Sequence, residues 1–263
     1  MFSFTESIIA ELSASNKTRT SETYRSALLS FSRFRNNVDL PLEGMTPALL
    51  SSYEVYLLGR GLTPNSTSFY MRILRAVYNR AVERGLTEQN HPFKSVYTGV
   101  ERTRKRAISM NSLRRIRRLP LEPGSPLDFA RDMFLFSFYT RGMPFVDMAY
   151  LRRNNLSHGV LEYRRRKTGQ LLQVRWELCM QELLDKHPVL PESTYLLPII
   201  IDAAADQRRQ YISAGHKINR NLKLVGQMAG LDRPLSMYVA RHSWATAARD
   251  RHIPLSGRGG HLG

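Results

Sequence analysis

The chain has 263 residues, of which 39 are Lys or Arg and 22 are Asp or Glu, giving a formal net charge of +17 and a pI of about 10.5. Hydrophobic residues make up 42% of the chain, which is enough to bury a core and excludes a disordered protein. So large a positive charge favours a polyanionic partner. Because no apolar stretch is long enough to span a bilayer, nucleic acid is preferred over a membrane.

Cysteine and histidine usage narrows the class further. The single cysteine, Cys179, excludes an internal disulfide framework, and the seven histidines are scattered without a metal-binding spacing. The N-terminus has neither a basic segment nor a long apolar segment of the kind that begins a signal peptide. We therefore expect a cytoplasmic protein without a metal cluster.

Residues 1–95 are predicted to form an all-helical unit. The first helix covers residues 5–12, and Thr20 or Ser21 is predicted to cap the second. The third and fourth helices each start at a Thr-Pro pair, in which the Thr caps the helix and the Pro occupies its first position. These pairs are Thr46 with Pro47 and Thr63 with Pro64.

The fourth helix has an apolar face and a basic face. Phe69, Ile73, Leu74, Val77 and Ala81 recur at helical spacing and are predicted to point inward. The opposite face is almost entirely positive, which favours contact with DNA over an ordinary solvated surface. The predicted DNA contacts on this face are Arg72, Arg75 and Arg80.

Residues 96–106 are predicted to be a basic linker, since they are polar and lack apolar periodicity. Such a segment can lie along a phosphate backbone. A solvated tether is an equally good interpretation of the pattern. The basic residues of the linker are Arg102, Arg104, Lys105 and Arg106.

A second unit begins at residue 107. Several helices are predicted in it, including a long one from 206 to 228 with a possible interruption at Gly215. Residues 160–164 and 171–176 alternate in polarity on either side of a turn that contains Gly169, which predicts a β-hairpin. Lys167 lies at its tip, next to Arg166, which is a further predicted DNA contact.

Residues 235–250 are predicted to form a late helix that places Arg241 and His242 near its buried start. A guanidinium is costly to bury unless an anion or acceptor meets it. A phosphodiester is one such anion, which Arg can bind with two parallel hydrogen bonds. A structural carboxylate is the alternative, and this segment alone does not decide between them.

Three features therefore occur in order: an Arg after an apolar helix, a Lys on a hairpin tip, and an Arg-His pair in a late helix. In the segments FYTRGMPFVDMAYLR and YVARHSWAT this pattern resembles the tyrosine recombinase (phage integrase) family, in its Bacteroides-type form. The resemblance implies a mainly α fold with a small β-sheet (α+β). It also implies a helical SAM-like core-binding domain at residues 1–95 and a catalytic domain at residues 107–256.

The resemblance also implies a mechanism. The family cuts one DNA strand with a Tyr hydroxyl, forms a 3′-phosphotyrosine and needs no metal or cofactor. By that likeness Arg241 is the second phosphate-clamping Arg and Lys167 the general acid, with a solvated turn residue as the alternative for Lys167. Arg141 is the candidate first Arg, although it precedes Gly142 where the family has Arg after the Gly; a structural Arg is its alternative. Tyr238 occupies a place where the family often has His, and its hydroxyl can hydrogen-bond to phosphate.

The C-terminal residues depart most from the family. Residues 257–263, GRGGHLG, form a glycine-rich tail that is a poor helix, and no Tyr follows Tyr238. His261 imitates the family's Gly-His element. We expect a site-specific recombinase truncated before its nucleophile, which binds a double-stranded DNA core site and forms a homotetramer only with a complete C-terminus. The alternatives are a non-catalytic DNA-binding protein derived from an integrase and a basic RNA-binding protein.

Overall fold

The computed structural model describes residues 1–101 and 107–251. The chain divides into two compact units, Met1–Thr103 and Arg104–Gly263, each with its own hydrophobic core. The predicted linker residues Arg102, Arg104, Lys105 and Arg106, and the tail with His261, lie outside the described residues.

The first unit is helical, and its third and fourth helices start as predicted. The Thr46 hydroxyl accepts the N–H of Leu49, and the Thr63 hydroxyl accepts the N–H of Ser66. Both caps satisfy a backbone donor that the first turn of a helix leaves free. The helices are α1 (Phe2–Ala14), α2 (Thr18–Phe34), α3 (Pro47–Gly59) and α4 (Pro64–Glu83), with 3₁₀ turns at Leu42–Gly44 and Pro92–Ser95.

Two local predictions in this unit were wrong. Helix α2 begins at Thr18 after Lys17, so neither Thr20 nor Ser21 is its cap; the Ser21 hydroxyl instead donates to the Thr18 carbonyl within the first turn. Phe69 is 36% exposed and does not point into the core with the other apolar residues of α4.

The segment after α4 packs against its own unit up to residue 101. Phe93 and Val96 are buried in the core. The Ser68 hydroxyl donates to the Gly99 carbonyl at 2.5 Å, and the Asn65 amide bonds the backbone of Glu101 in both directions. These contacts hold the first six residues of the expected linker on α4.

The second unit surrounds helix α6, whose residues from Ala130 to Phe138 are all buried. The Ser125 hydroxyl caps α6, and α9 runs unbroken through Gly215. The interruption predicted at Gly215 is absent. The glycine instead lets the Phe145 ring pack closely against the helix, since an added Cβ would lie 3.1 Å from that ring. The helices are α5 (Met110–Arg117), α6 (Pro126–Tyr139), α7 (Phe145–Ala149), α8 (Leu178–Lys186), α9 (Gln207–Met228) and α10 (Met237–Asp250).

A small antiparallel sheet completes this unit. The predicted hairpin is present as β2 (Val160–Arg164) and β3 (Leu171–Arg175), and a short strand β1 (Leu156–Ser157) pairs with β2. Tyr163 opposes Leu172, and Leu161 opposes Val174. Alternate residues of β2 are buried, so the sheet covers the core with one face. Among the helices of the described residues, none is long and apolar enough to cross a membrane.

Candidate nucleic-acid interface

The first part of the site is the turn that ends α6. Arg141 and Gly142 both adopt left-handed backbone conformations, with φ of 61° and 72°. The N–H groups of Gly142 and Met143 donate to the Ser137 carbonyl, and the Ser137 hydroxyl donates to the Met143 carbonyl at 2.8 Å. This is the pattern by which a left-handed turn satisfies the last carbonyls of a helix. Arg141 is exposed at the corner of this turn.

Helix α10 packs directly on that turn. An added Cβ on Gly142 would lie 2.9 Å from the Arg241 Cα, and the Arg241 guanidinium donates to the Gly142 carbonyl at 3.2 Å. Only a glycine permits so close an approach. The turn that carries Arg141 and the helix that carries Arg241 are therefore in contact, although they are 99 positions apart in the chain.

The hairpin tip contacts helix α7 and the residue that follows it, through Asp147 and Tyr150. Arg165 and Gln170 close the turn, and Lys167 is exposed between them. The N–H of Arg166 donates to the Asp147 carboxylate at 3.0 Å, and its guanidinium lies 3.7 Å from the ring centroid of Tyr150. This cation–π contact and the hydrogen bond anchor the residue just before Lys167.

Asp147 is the negative centre of the site and was missed from the sequence. It is buried, and one of its oxygens has no hydrogen-bond partner. Burial raises the pKa of its carboxyl, while the N–H of Arg166 and the charges of Arg165, Arg166 and Arg241 act in the opposite direction. Its sequence signal is a carboxylate inside the short apolar helix FVDMA.

Tyr163 adjoins this group from strand β2. It is buried, and burial raises the pKa of its hydroxyl to about 12, with the charge of Asp147 adding to the effect and those of Arg165 and Arg241 opposing it. A phenol held in its protonated form is a hydrogen-bond donor rather than a nucleophile. Its proximity to the charges of Asp147 and Arg241 was not apparent from the alternation of β2 alone.

The remaining predicted catalytic residues are placed differently. Tyr238 lies one turn before Arg241 at the start of α10, is 56% exposed, and meets the ring of His242 edge-on at 4.3 Å. Its exposed ring lies at the same end of α10 as Arg241, whereas His261 falls outside the described residues.

The arginines predicted to contact DNA from the first unit do not share one environment. The Arg75 guanidinium donates to the Thr98 hydroxyl, whereas the Arg80 guanidinium lies 5.6 Å from the ring centroid of Tyr24. Arg72 is exposed, with a hydrogen bond to the Ser68 carbonyl of its own helix. Arg72 and Arg75 are therefore the more accessible pair.

A second charged cluster lies elsewhere in the second unit. Asp128, Asp132 and His187 are close enough to hold a metal ion. However, the Lys186 ammonium donates to both carboxylates, and Arg131 contacts both as well. Two cations thus occupy the positions around these oxygens, which fits an internal ion-pair network rather than a metal site.

Comparison with known proteins finds a family match for the first unit. Residues 1–96 match the phage integrase SAM-like domain family. No sequence among the curated proteins matches the chain. The match confirms the resemblance to phage integrases in the first unit, whereas the Bacteroides-type form and the truncation stay predictions.

Solved structures extend the likeness to nearly the whole chain. A lambda integrase fragment, in a dimer bound to a COC′ core site, has a TM-score of 0.70 at 18% identity, covering 95% of this chain and 90% of that one. The transposon Tn1549 integrase, in complex with transposon right end DNA, gives 0.64 at 11%, covering 94% and 88%. The XerH site-specific recombinase, bound to difH substrate, gives 0.58 at 16%, covering 89% and 69%. The fold of the chain is that of the tyrosine recombinases.

Proposed function

We propose that this chain binds double-stranded DNA and holds a phosphodiester for site-specific recombination. The observations that support this most strongly are the contact of the Arg141 turn with Arg241 and the hydrogen bond from Arg166, just before Lys167, to the buried carboxylate of Asp147. The structurally similar integrases and recombinase, which are bound to DNA substrates, support the same partner.

The site's chemistry suits phosphoryl transfer. Arg241 and Arg141 would bind the non-bridging oxygens, on which negative charge is concentrated in the transition state. When a Tyr oxygen bonds to phosphorus and the bond to the 5′ oxygen breaks, that oxygen must receive a proton. Lys167 on the hairpin tip would donate it.

In our proposal neither Tyr163 nor Tyr238 is the nucleophile. Among the tyrosines of the site, Tyr163 is buried with a raised pKa, and Tyr238 packs on His242. A non-catalytic DNA-binding protein derived from an integrase is therefore the second candidate function.

DNA binding is tested first by fluorescence anisotropy with a labelled duplex, against an RNA duplex at matched salt. The proposal expects tighter binding to DNA and a steep fall in affinity with salt. Preference for RNA would contradict it and restore the RNA-binding alternative.

Catalysis is tested with a chimera that continues the chain after residue 251 with the Tyr-bearing C-terminal segment of one of the similar integrases. On a nicked duplex, the chimera should form a covalent protein–DNA adduct that survives SDS, and Arg241→Gln should abolish it. A chimera that binds the duplex but forms no adduct would favour the non-catalytic candidate.

A further inference from the structure

A basic groove lies between α5 and the C-terminal end of α9, and none of the site residues described above lines it. It has a volume of about 810 Å³. Two arginines of α5 and the arginine that follows it form one wall, and the end of α9 forms the other. The lining residues are Asn111, Arg114, Arg115, Arg118, Leu119, Met228, Ala229 and Gly230.

The charge in this groove is not neutralised by the protein. Arg114 donates to the Asn111 amide oxygen, and Arg115 donates to the Ser112 hydroxyl and the Gly230 carbonyl. All of these acceptors are neutral. In the part of the chain that the structure describes, no carboxylate forms an ion pair with Arg114, Arg115 or Arg118. Three adjacent guanidiniums without a counter-ion favour an anionic ligand.

The other wall of the groove favours a peptide over a DNA backbone. Met228 is 52% exposed there, and Leu119 is half-buried beside it. A phosphodiester gains nothing from an apolar thioether. A peptide that alternates carboxylates with apolar side chains meets both kinds of wall.

The 22 Asp and Glu residues of the sequence are dispersed, and no five consecutive residues contain more than two of them. A segment richer in carboxylates, from a different protein, complements three guanidiniums better.

We propose that this groove binds an acidic, partly apolar segment of a partner protein. The carboxylates would pair with Arg114, Arg115 and Arg118, and one apolar side chain would pack on Leu119 and Met228. This interface is separate from the Arg241 site, so the chain has room to engage DNA and the partner independently.

The experiment uses the whole chain and a fluorescein-labelled 12-residue peptide in which Glu and Leu recur at helical spacing, with a Lys-for-Glu peptide as the probe control. The test variant is Arg114→Ser with Arg118→Ser. The matched control is Arg117→Ser, an exposed arginine of the same helix that lies toward Tyr139 and Cys179 and does not line the groove. Circular dichroism melting checks that each variant folds.

We expect the double variant to bind the acidic peptide about tenfold more weakly, which corresponds to about 1.4 kcal/mol, and Arg117→Ser to bind within about twofold of the parent. Neither variant should change the affinity for duplex DNA by more than the loss of general charge explains. The proposal is overturned if the peptide does not bind. It is also overturned if both variants weaken peptide binding equally, or if the double variant loses DNA affinity and keeps its affinity for the peptide.

Discussion

Two buried charge clusters of the second unit differ in their balance. In one, Asp128 and Asp132 meet Arg131 and Lys186, so that two negative charges face two positive ones. In the other, the single buried carboxylate of Asp147 lies near the positive charges of Arg165, Arg166 and Arg241, which favour its ionised form. In a balanced cluster the charges neutralise one another and stabilise the fold, whereas an unbalanced cluster has excess positive charge that an external anion can neutralise.

The pKa values of Asp132 and Asp147 are shifted in opposite directions. Burial would raise the pKa of Asp132, but hydrogen bonds from His187, Arg131 and Lys186 outweigh it and lower the pKa to about 2. At Asp147 burial prevails, and the pKa is raised. Asp132 is thus stabilised as an anion by the fold, while Asp147 is held at a cost that the surrounding arginines only partly offset.

The largest effect is expected from breaking the balanced cluster. Asp132→Asn leaves Lys186 and Arg131 short of one negative charge in a buried setting, and we expect it to lower the free energy of unfolding by about 3–5 kcal/mol. Urea denaturation measures this. A loss below about 1 kcal/mol would show that the cluster contributes little to the fold.

The next effect concerns the contact that builds the unbalanced site. Gly142→Ala puts a Cβ 2.9 Å from the Arg241 Cα on a residue with φ of 72°, and we expect a loss of about 2–4 kcal/mol with weaker DNA binding. Gly124→Ala is the matched control, since its φ is 74° and its Cβ meets nothing within 4 Å. We expect the control to lose about 1 kcal/mol from backbone strain alone. Equal losses would mean that contact with Arg241 is unimportant.

The third effect is the response to acid. Because the folded pKa of Asp132 is about 2 and its ordinary value is 3.8, its contribution is complete above pH 3.8 and is lost as the pH falls through 2. This amounts to about 2 kcal/mol. The gap in melting temperature between the parent and Asp132→Asn should be constant from pH 7 to about 4 and should narrow by pH 2. A gap that narrows between pH 7 and 5 would contradict the assignment.

The smallest effect is expected at Asp147. Asp147→Asn keeps an oxygen for the N–H of Arg166 and removes a carboxylate whose ionised form burial disfavours. We expect stability within about 1 kcal/mol of the parent and DNA binding about twofold tighter, since a negative charge leaves the site. Anisotropy and urea denaturation measure both quantities. A large loss of stability would show that the ionised carboxylate holds the hairpin in place.

Local signals in the sequence predicted much of this fold. The Thr46 and Thr63 caps act within one helical turn, and the hairpin depends on alternation around its own turn. Arg141, Lys167 and Arg241 were found because their segments resemble a family. Asp147 was not predicted as a site residue because its partner, the N–H of Arg166, is 19 positions away in the chain. The pairing of Asp132 with His187 spans 55 positions and was equally beyond local pattern.

The central claim is that DNA phosphate binds at the site formed by Arg241, the Arg141 turn and the Lys167 hairpin tip, beside the unbalanced cluster. The most direct test is the slope of log affinity for duplex DNA against log salt, measured for the parent and for the variant with Arg141→Gln, Lys167→Gln and Arg241→Gln. A control with Arg114→Gln, Arg115→Gln and Arg118→Gln removes the same charge from the groove. We predict that the site variant reduces the magnitude of this slope by about 2–3, and that the groove control reduces it by less than about 1. Equal slopes for parent and site variant, or equal reductions in both variants, would contradict the claim.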